Sequence, residues 1–181
     1  MPNWVDNTLI VTGDEENIRA FAEKAAQPNT QFGEERQQAI SFRNFISPEV
    51  IEGYDLGWYE WNLENWGCKW DASSVDMPDR SEGYVHYTFD TPWGPPTEFF
   101  QTLVGQYPDL DFNLRFLEEQ GWGGEFGGSG GQFFIVKEWE IPETHEERIE
   151  HVGYCNCDEM RDDEMEWMYD DCPKKMELAN A

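Results

Sequence analysis

The chain has 181 residues, enough for one sizeable domain with an appendage, and its 38 acidic against 12 basic residues give a formal charge of −26. That balance excludes a surface built to bind a nucleic-acid backbone or an anionic membrane, since either requires positive charge. Nine tryptophans, seven tyrosines and twelve phenylalanines exclude an acidic disordered chain, which does not carry so many large rings.

Val5 to Val11 is β-rich, and Gly13-Asp14-Glu15-Glu16 ends it with carboxylates suited to a helix N-terminus. Ile18, Phe21, Ala22 and Ala25 recur at helical spacing and predict a helix near 14–27. Ala39 to Phe45 alternates Ile40 and Phe42 against Ser41 and Arg43, which predicts a second strand. Residues 46–81 form an insertion rich in Trp, Tyr and Gly, whose rings would make a sticky patch if left in water. Trp66 and Trp70 are therefore expected in the core, with Lys69 and Asp71 pointing outward or paired locally. Glu82 to Thr91 predicts a strand with Tyr84, His86 and Thr88 on one face and Val85, Tyr87 and Phe89 on the other. Pro95-Pro96 suits a first helical turn, and Phe99, Phe100, Leu103, Val104 and Tyr107 give a second helical stripe near 95–107. From Asp109 to Leu117, Leu110, Phe112, Leu114 and Phe116 alternate with polar residues in a further strand. Gly121 to Gly131, seven glycines in eleven residues, reads as a flexible connection to a last strand, Gln132 to Ile141.

This order predicts an α+β ferredoxin-like sandwich over residues 1–141, a mostly antiparallel sheet of four to five strands with two helices on one face. Ile18, Phe21, Val85, Phe99, Leu103 and Leu110 are its expected core. Residues 142–181 form an acidic, Met- and Cys-containing extension, partly helical. Residues 138–181 carry 15 of the acidic and 4 of the basic residues, about twice the negative charge per residue of the rest. Met165, Met168, Tyr169, Cys172 and Met176 share one helical face, expected to pack on the body or on a partner.

Four stretches stand out together: Met1-Pro2-Asn3-Trp4 leading to Val11-Thr12-Gly13; Asn65-Trp66-Gly67-Cys68-Lys69-Trp70-Asp71-Ala72; Phe89-Asp90-Thr91-Pro92-Trp93-Gly94-Pro95-Pro96; and Glu118-Glu119-Gln120-Gly121 followed by Gly124. In order and spacing they resemble the YubB ferredoxin-like family of phages and plasmids, over roughly residues 1–135. The resemblance implies a ferredoxin-like fold and a mobile-element setting, and it carries over no catalytic residues. Cys68, where a small polar residue is expected, and the acidic extension depart from that pattern.

His151, Cys155, Cys157 and Cys172 are ligand types that zinc accepts, but Cys-x-Cys without a second matched pair is poor spacing. Reduced cysteines beside a solvated acidic helix are the better reading, and neither a metal nor another cofactor is expected. The glycine tract fails as a phosphate cradle, since Phe126 stands at the third glycine position and Glu125 would repel phosphate. Glu82-Gly83-Tyr84-Val85-His86-Tyr87 partly resembles the aromatic strand of RNA-recognition modules, yet Glu82 replaces their leading basic residue. Only three histidines exist and no serine lies in a Gly-x-Ser-x-Gly elbow, so the chain does not read as an enzyme.

The charge admits three readings: imitation of a phosphate array in the basic cleft of a nucleic-acid-handling host protein, adaptation to high salt, and solubility around an aromatic core. Binding to a basic host protein, as a nucleic-acid mimic or anti-defence inhibitor, is the expectation taken forward. Asp163, Glu164, Glu166, Asp170 and Asp171 are its candidate surface. No 18-residue apolar run exists, and the first residues lack the basic and apolar parts of a signal peptide, which reads as a cytoplasmic protein of the host cell.

Overall fold

The computed structural model describes residues 2–31, 34–47, 57–154, 169, 172 and 173. In chain order the elements are β1 (Trp4–Thr12), α1 (Glu15–Ala25), β2 (Asn29–Gln31), β3 (Glu34–Arg36), a 3-10 turn (Phe42–Asn44), α2 (Trp58–Trp66), β4 (Asp79–Ser81), β5 (Tyr84–Pro92), α3 (Thr97–Gln106), β6 (Asp111–Glu118), β7 (Gly123–Ser129), β8 (Gln132–Trp139) and α4 (His145–Val152). Six strands form one antiparallel sheet in the order β4-β5-β1-β6-β7-β8, while β2 and β3 make a separate small hairpin.

The period-two pattern sets the register. Val5, Asn7, Leu9 and Val11 of β1 sit opposite Thr91, Phe89, Tyr87 and Val85 of β5, and opposite Glu118, Phe116, Leu114 and Phe112 of β6. All twelve are buried, because they share the face covered by α1 and α3. Helix α1 contributes Ile18, Phe21 and Ala25, and α3 contributes Phe99, Phe100, Leu103 and Val104. Phe21 packs its ring on Phe45, Tyr107 and Phe112 at 5.1–5.9 Å, and Phe42 stacks on Phe99 at 4.1 Å. The strands β4-β5-β1-β6, with α3 carrying the chain from β5 over to β6, make the ferredoxin-like unit. Strands β7 and β8 extend it beyond β6.

The sheet has six strands, not four to five, and both additional strands escape hydrophobic patterning. Strand β4 is three exposed polar residues, Asp79, Arg80 and Ser81, brought to the edge by a tight turn in which Gly83 takes φ 69°. The glycine tract forms β7, not a loose connection. Its glycines leave room for neighbours: a Cβ at Gly124, Gly127 or Gly128 would collide with Phe116, Phe134 or Val104. A Gly130-Gly131 turn with φ of 57° and 76° then leads into β8. Residues 39–45 form no strand. Ile40 and Phe42 are buried as their alternation requires, but the Phe42 amide donates to the Asp71 carboxylate at 2.6 Å instead of to a neighbouring strand.

Helix α4 lies against the β6–β8 part of the opposite face. Thr144 and Glu147 cap it reciprocally, and Arg115 of β6 donates to the His151 carbonyl at 2.7 Å. Tyr169 and Cys172 are buried, and the Tyr169 hydroxyl donates to the Pro142 carbonyl at 2.9 Å.

Candidate functional site

Parts of all four stretches singled out in the sequence meet at one end of the sheet, where β1 begins and β5 and β6 end, while Val11-Thr12-Gly13 lies at the other end. The Trp93 amide donates to the Asn3 carbonyl at 2.9 Å, the Glu119 amide to the Trp4 carbonyl at 3.3 Å, and the Asn3 side chain to Glu118 at 2.6 Å. Buried Asn7 links β1 to Thr91 at 2.8 Å, and the Thr91 hydroxyl donates to the Gly94 carbonyl at 2.7 Å, closing the turn around Trp93. That turn holds Trp93 at φ 68°, a left-handed conformation that a bulky residue adopts only under constraint, with half its surface exposed.

The Trp66–Asp71 segment completes the cluster. Trp66 is fully buried and its indole N–H donates to the Ile46 carbonyl at 3.1 Å. Gly67 ends α2 in the left-handed conformation and abuts the start of α3, where a side chain would strike Glu98 and the Thr97 amide. Trp70 is only half-buried, its ring 6.2 Å from that of Trp4. The Lys69 ammonium lies 4.5 Å from the Trp70 ring centre and 4.7 Å from that of Trp93. Two aromatic faces thus already hold one cation. Asp71, expected outward or paired locally, is buried: it accepts from the Ser41 hydroxyl at 2.5 Å and from the amides of Phe42 and Ala72 at 2.6 and 2.8 Å. Burial raises its pKa and those hydrogen bonds oppose the rise. Burial also pushes the Cys68 thiol up, reinforced by the negative charges of Asp71 and Glu98, which makes it a packing residue and not a nucleophile.

Strand alternation places Asp6 on the same face as Trp4, away from the helices. Directly across the ladder stands Asp90. The Asp6 pKa is raised by partial burial, by its hydrogen bond to Asp90 and by the charges of Asp90 and Glu119, so this carboxyl holds its proton more readily than an isolated one does. They line a concavity of about 260 Å³ together with Thr8, Ser74, Asp76 and Thr88, and the Thr88 hydroxyl donates to Asp76 at 2.9 Å. An aromatic platform holding a cation therefore runs along one strand into a carboxylate pair.

Asp163, Glu164, Glu166, Asp170 and Asp171 lie outside the described residues, as do Cys155 and Cys157. His151 stacks flat on Trp139 at 4.9 Å and 7°, and Cys172 is buried. Among the described residues, no three His, Cys, Asp or Glu side chains gather in a metal-binding group, and no helix is long and apolar enough to cross a membrane. The signal for Asp6 and Asp90 was present in the sequence, since each is an acid on the polar side of an alternating strand, but their pairing needs the β1–β5 register.

Residues 65–158 match the family described as the ferredoxin-like domain in Api92-like protein. The crystal structure of protein api92 from Yersinia pseudotuberculosis superposes with a TM-score of 0.61 at 10% identity, over 78% of this chain and 99% of that one. No curated protein matches the sequence.

Proposed function

The chain belongs to the family of ferredoxin-like domains in Api92-like proteins, and on that premise we propose that it is a non-enzymatic accessory protein of a mobile element that binds a basic, nucleic-acid-handling host protein. The observation that carries this reading is the Asp6–Asp90 pair beside the Trp4, Trp70 and Trp93 platform. Like charges directly opposite one another weaken a sheet, and an ammonium or guanidinium seated between them turns that repulsion into attraction. Lys69 already sits over Trp70 and Trp93, so of the neighbouring indoles Trp4 is the one left free to offer the same incoming cation an aromatic face.

A nucleic-acid backbone brought to this face would meet carboxylates, which favours a protein partner over RNA even though Tyr84 and His86 share the open face. The mobile-element setting rests on the sequence resemblance. The acidic extension, with Asp163, Glu164, Glu166, Asp170 and Asp171, supplies a second negative surface that steers the encounter over long range. Salt adaptation or solubility accounts for net charge alone and not for a carboxylate pair adjoining a cation-holding aromatic platform.

Affinity capture from host lysate at low and high salt, with wild type and an Asp6→Lys/Asp90→Lys variant, tests the reading. A basic nucleic-acid-handling protein should be retained by wild type at low salt, released at high salt and missed by the variant. Equal retention by both forms would remove the sheet-face site, and equal retention by a variant with the five tail carboxylates reversed to lysine would remove the tail.

A further inference from the structure

Lys69 is a cation in a chain of 38 acidic residues, yet among the described residues its ammonium forms no ion pair with a carboxylate, unlike Arg80 with Glu15 or Lys137 with Glu125. It is held by rings instead, 4.5 Å from the centre of Trp70 and 4.7 Å from that of Trp93, both inside the roughly 6 Å reach of a cation–π contact. The spacing of the two indoles therefore fits one ammonium-sized group. Separate pieces of backbone set that spacing. Trp93 sits in the turn after β5, its amide bonded to the Asn3 carbonyl and the turn closed by Thr91 and Gly94. Trp70 precedes Asp71, which Ser41 and Phe42 anchor. Neither anchor passes through the Lys69 ammonium. Lys69 neighbours Trp70 in sequence, so rotation about its flexible four-carbon stem releases the contact without moving the backbone. The approach is open: Trp93 is half-exposed, and a Cβ on the adjoining Gly94 would meet nothing within 4 Å.

We propose that the Trp70–Trp93 pair is a binding site for a quaternary ammonium group, which takes the place that Lys69 fills in the free chain. A primary ammonium is a compact, strongly hydrated charge and regains its water shell on leaving the rings. A quaternary ammonium has no N–H to hydrate, keeps the charge and turns methyl groups to the indole faces, so the exchange favours it. The chain's charge of −26 raises the local concentration of any cation, and Trp4, 6.2 Å from Trp70, extends the aromatic wall. The φ of 68° at Trp93 is a strain that the packing of a half-exposed ring does not offset, and it sets the second face of the clamp. The site requires neither the Asp6–Asp90 pair nor a basic protein partner.

The test is titration of the full chain with tetramethylammonium chloride, with ammonium chloride at equal ionic strength as the control, followed by the indole N–H shifts of Trp70 and Trp93. Saturable shifts of both indoles, with ammonium weaker by about fivefold or more, are the expected result. Lys69→Gln removes the resident cation and should tighten tetramethylammonium binding about fivefold, because the clamp is then vacant at all times. Trp93→Gly, a residue at ease with positive φ, keeps the turn without the ring and should lose the saturable shift at Trp70. Choline and an Nα-acetyl trimethyllysine amide, which carry the group on a small molecule and on a protein side chain, should both bind, the tighter of the two naming the source. Unchanged or weaker tetramethylammonium binding in Lys69→Gln, an equal response to ammonium, or a saturable shift that persists in Trp93→Gly would each overturn the proposal.

Discussion

One strand, β1, meets two environments. Its Val5, Asn7, Leu9 and Val11 are buried beneath α1 and α3, whereas Trp4, Asp6, Thr8, Ile10 and Thr12 line the other face. On the first face packing accounts for the apolar side chains, which lose water, while the one amide, Asn7, spends its N–H donors on Val5 and Thr91 and leaves its buried Oδ1 without a partner among the described residues. On the second face, packing explains neither a carboxylate set opposite another carboxylate nor a strained, half-exposed tryptophan. The face that stabilises the fold and the face that carries unexplained electrostatic cost are thus two halves of the same strand, which is why the second is the place to look for a partner.

Breaking the buried side should give the largest effect. Trp66→Ala would remove a fully buried ring in contact with Phe42 and Trp61, and is expected to cost about 3–5 kcal/mol in urea unfolding. A variant of normal stability would place the motif on the functional side of the comparison instead. Next comes the junction between the two sides. Asp71→Ala leaves the Phe42 amide and the Ser41 hydroxyl without their acceptor and should cost about 1.5–3 kcal/mol. Asp71→Asn, which keeps an oxygen for the amides, should lose clearly less. Gly128→Ala sharpens the reading of β7 as a strand fitted to its neighbours. The new methyl meets Val104, so a loss of about 1–2 kcal/mol is expected, measured by thermal unfolding. Tolerance at Gly130, where nothing lies near a Cβ, should be limited only by its positive φ.

Where side chains alternate or recur at helical spacing, burial was legible, although residues 39–45 alternate and bury Ile40 and Phe42 without forming a strand. Tyr84, His86 and Thr88 do share one face of β5, helices α1 and α3 do cover a single face, and all six expected core residues are buried. The misses have one physical origin: pairing decided by something other than a hydrophobic pattern. Strand β4 has no apolar residue, and its position follows from the turn at Gly83. Strand β7 is glycine because bulky neighbours occupy the space, and a residue without a side chain leaves no alternation to read. Asp71 meets Ser41 across 30 residues and Asp6 meets Asp90 across 84, so neither contact is visible without the register. The four motifs marked the right end of the molecule, but not which of their side chains would face outward.

The smallest expected effect on stability is the most informative about the open face. The Asp6 carboxyl has its pKa raised in the folded chain, first by partial burial and then by Asp90. A raised carboxyl pKa means that the folded state binds more protons than the unfolded state over the window above the ordinary value of 3.8, so stability falls as pH rises through that window. The contribution of the pair is therefore fully present only below the unfolded pKa. Asp6→Asn abolishes the repulsion and should raise stability at neutral pH by an amount on the order of a few tenths of a kcal/mol, read as a higher melting midpoint, because the pair is largely solvated and screened. The gain should shrink as pH is lowered, since wild type then acquires the proton that relieves the same repulsion. If Asp6→Asn is both more stable at neutral pH and unable to hold the basic partner, the pair is an electrostatic cost retained for binding. If it is less stable at neutral pH, the two carboxylates are structural and the distinction between the faces of β1 fails at its central residue.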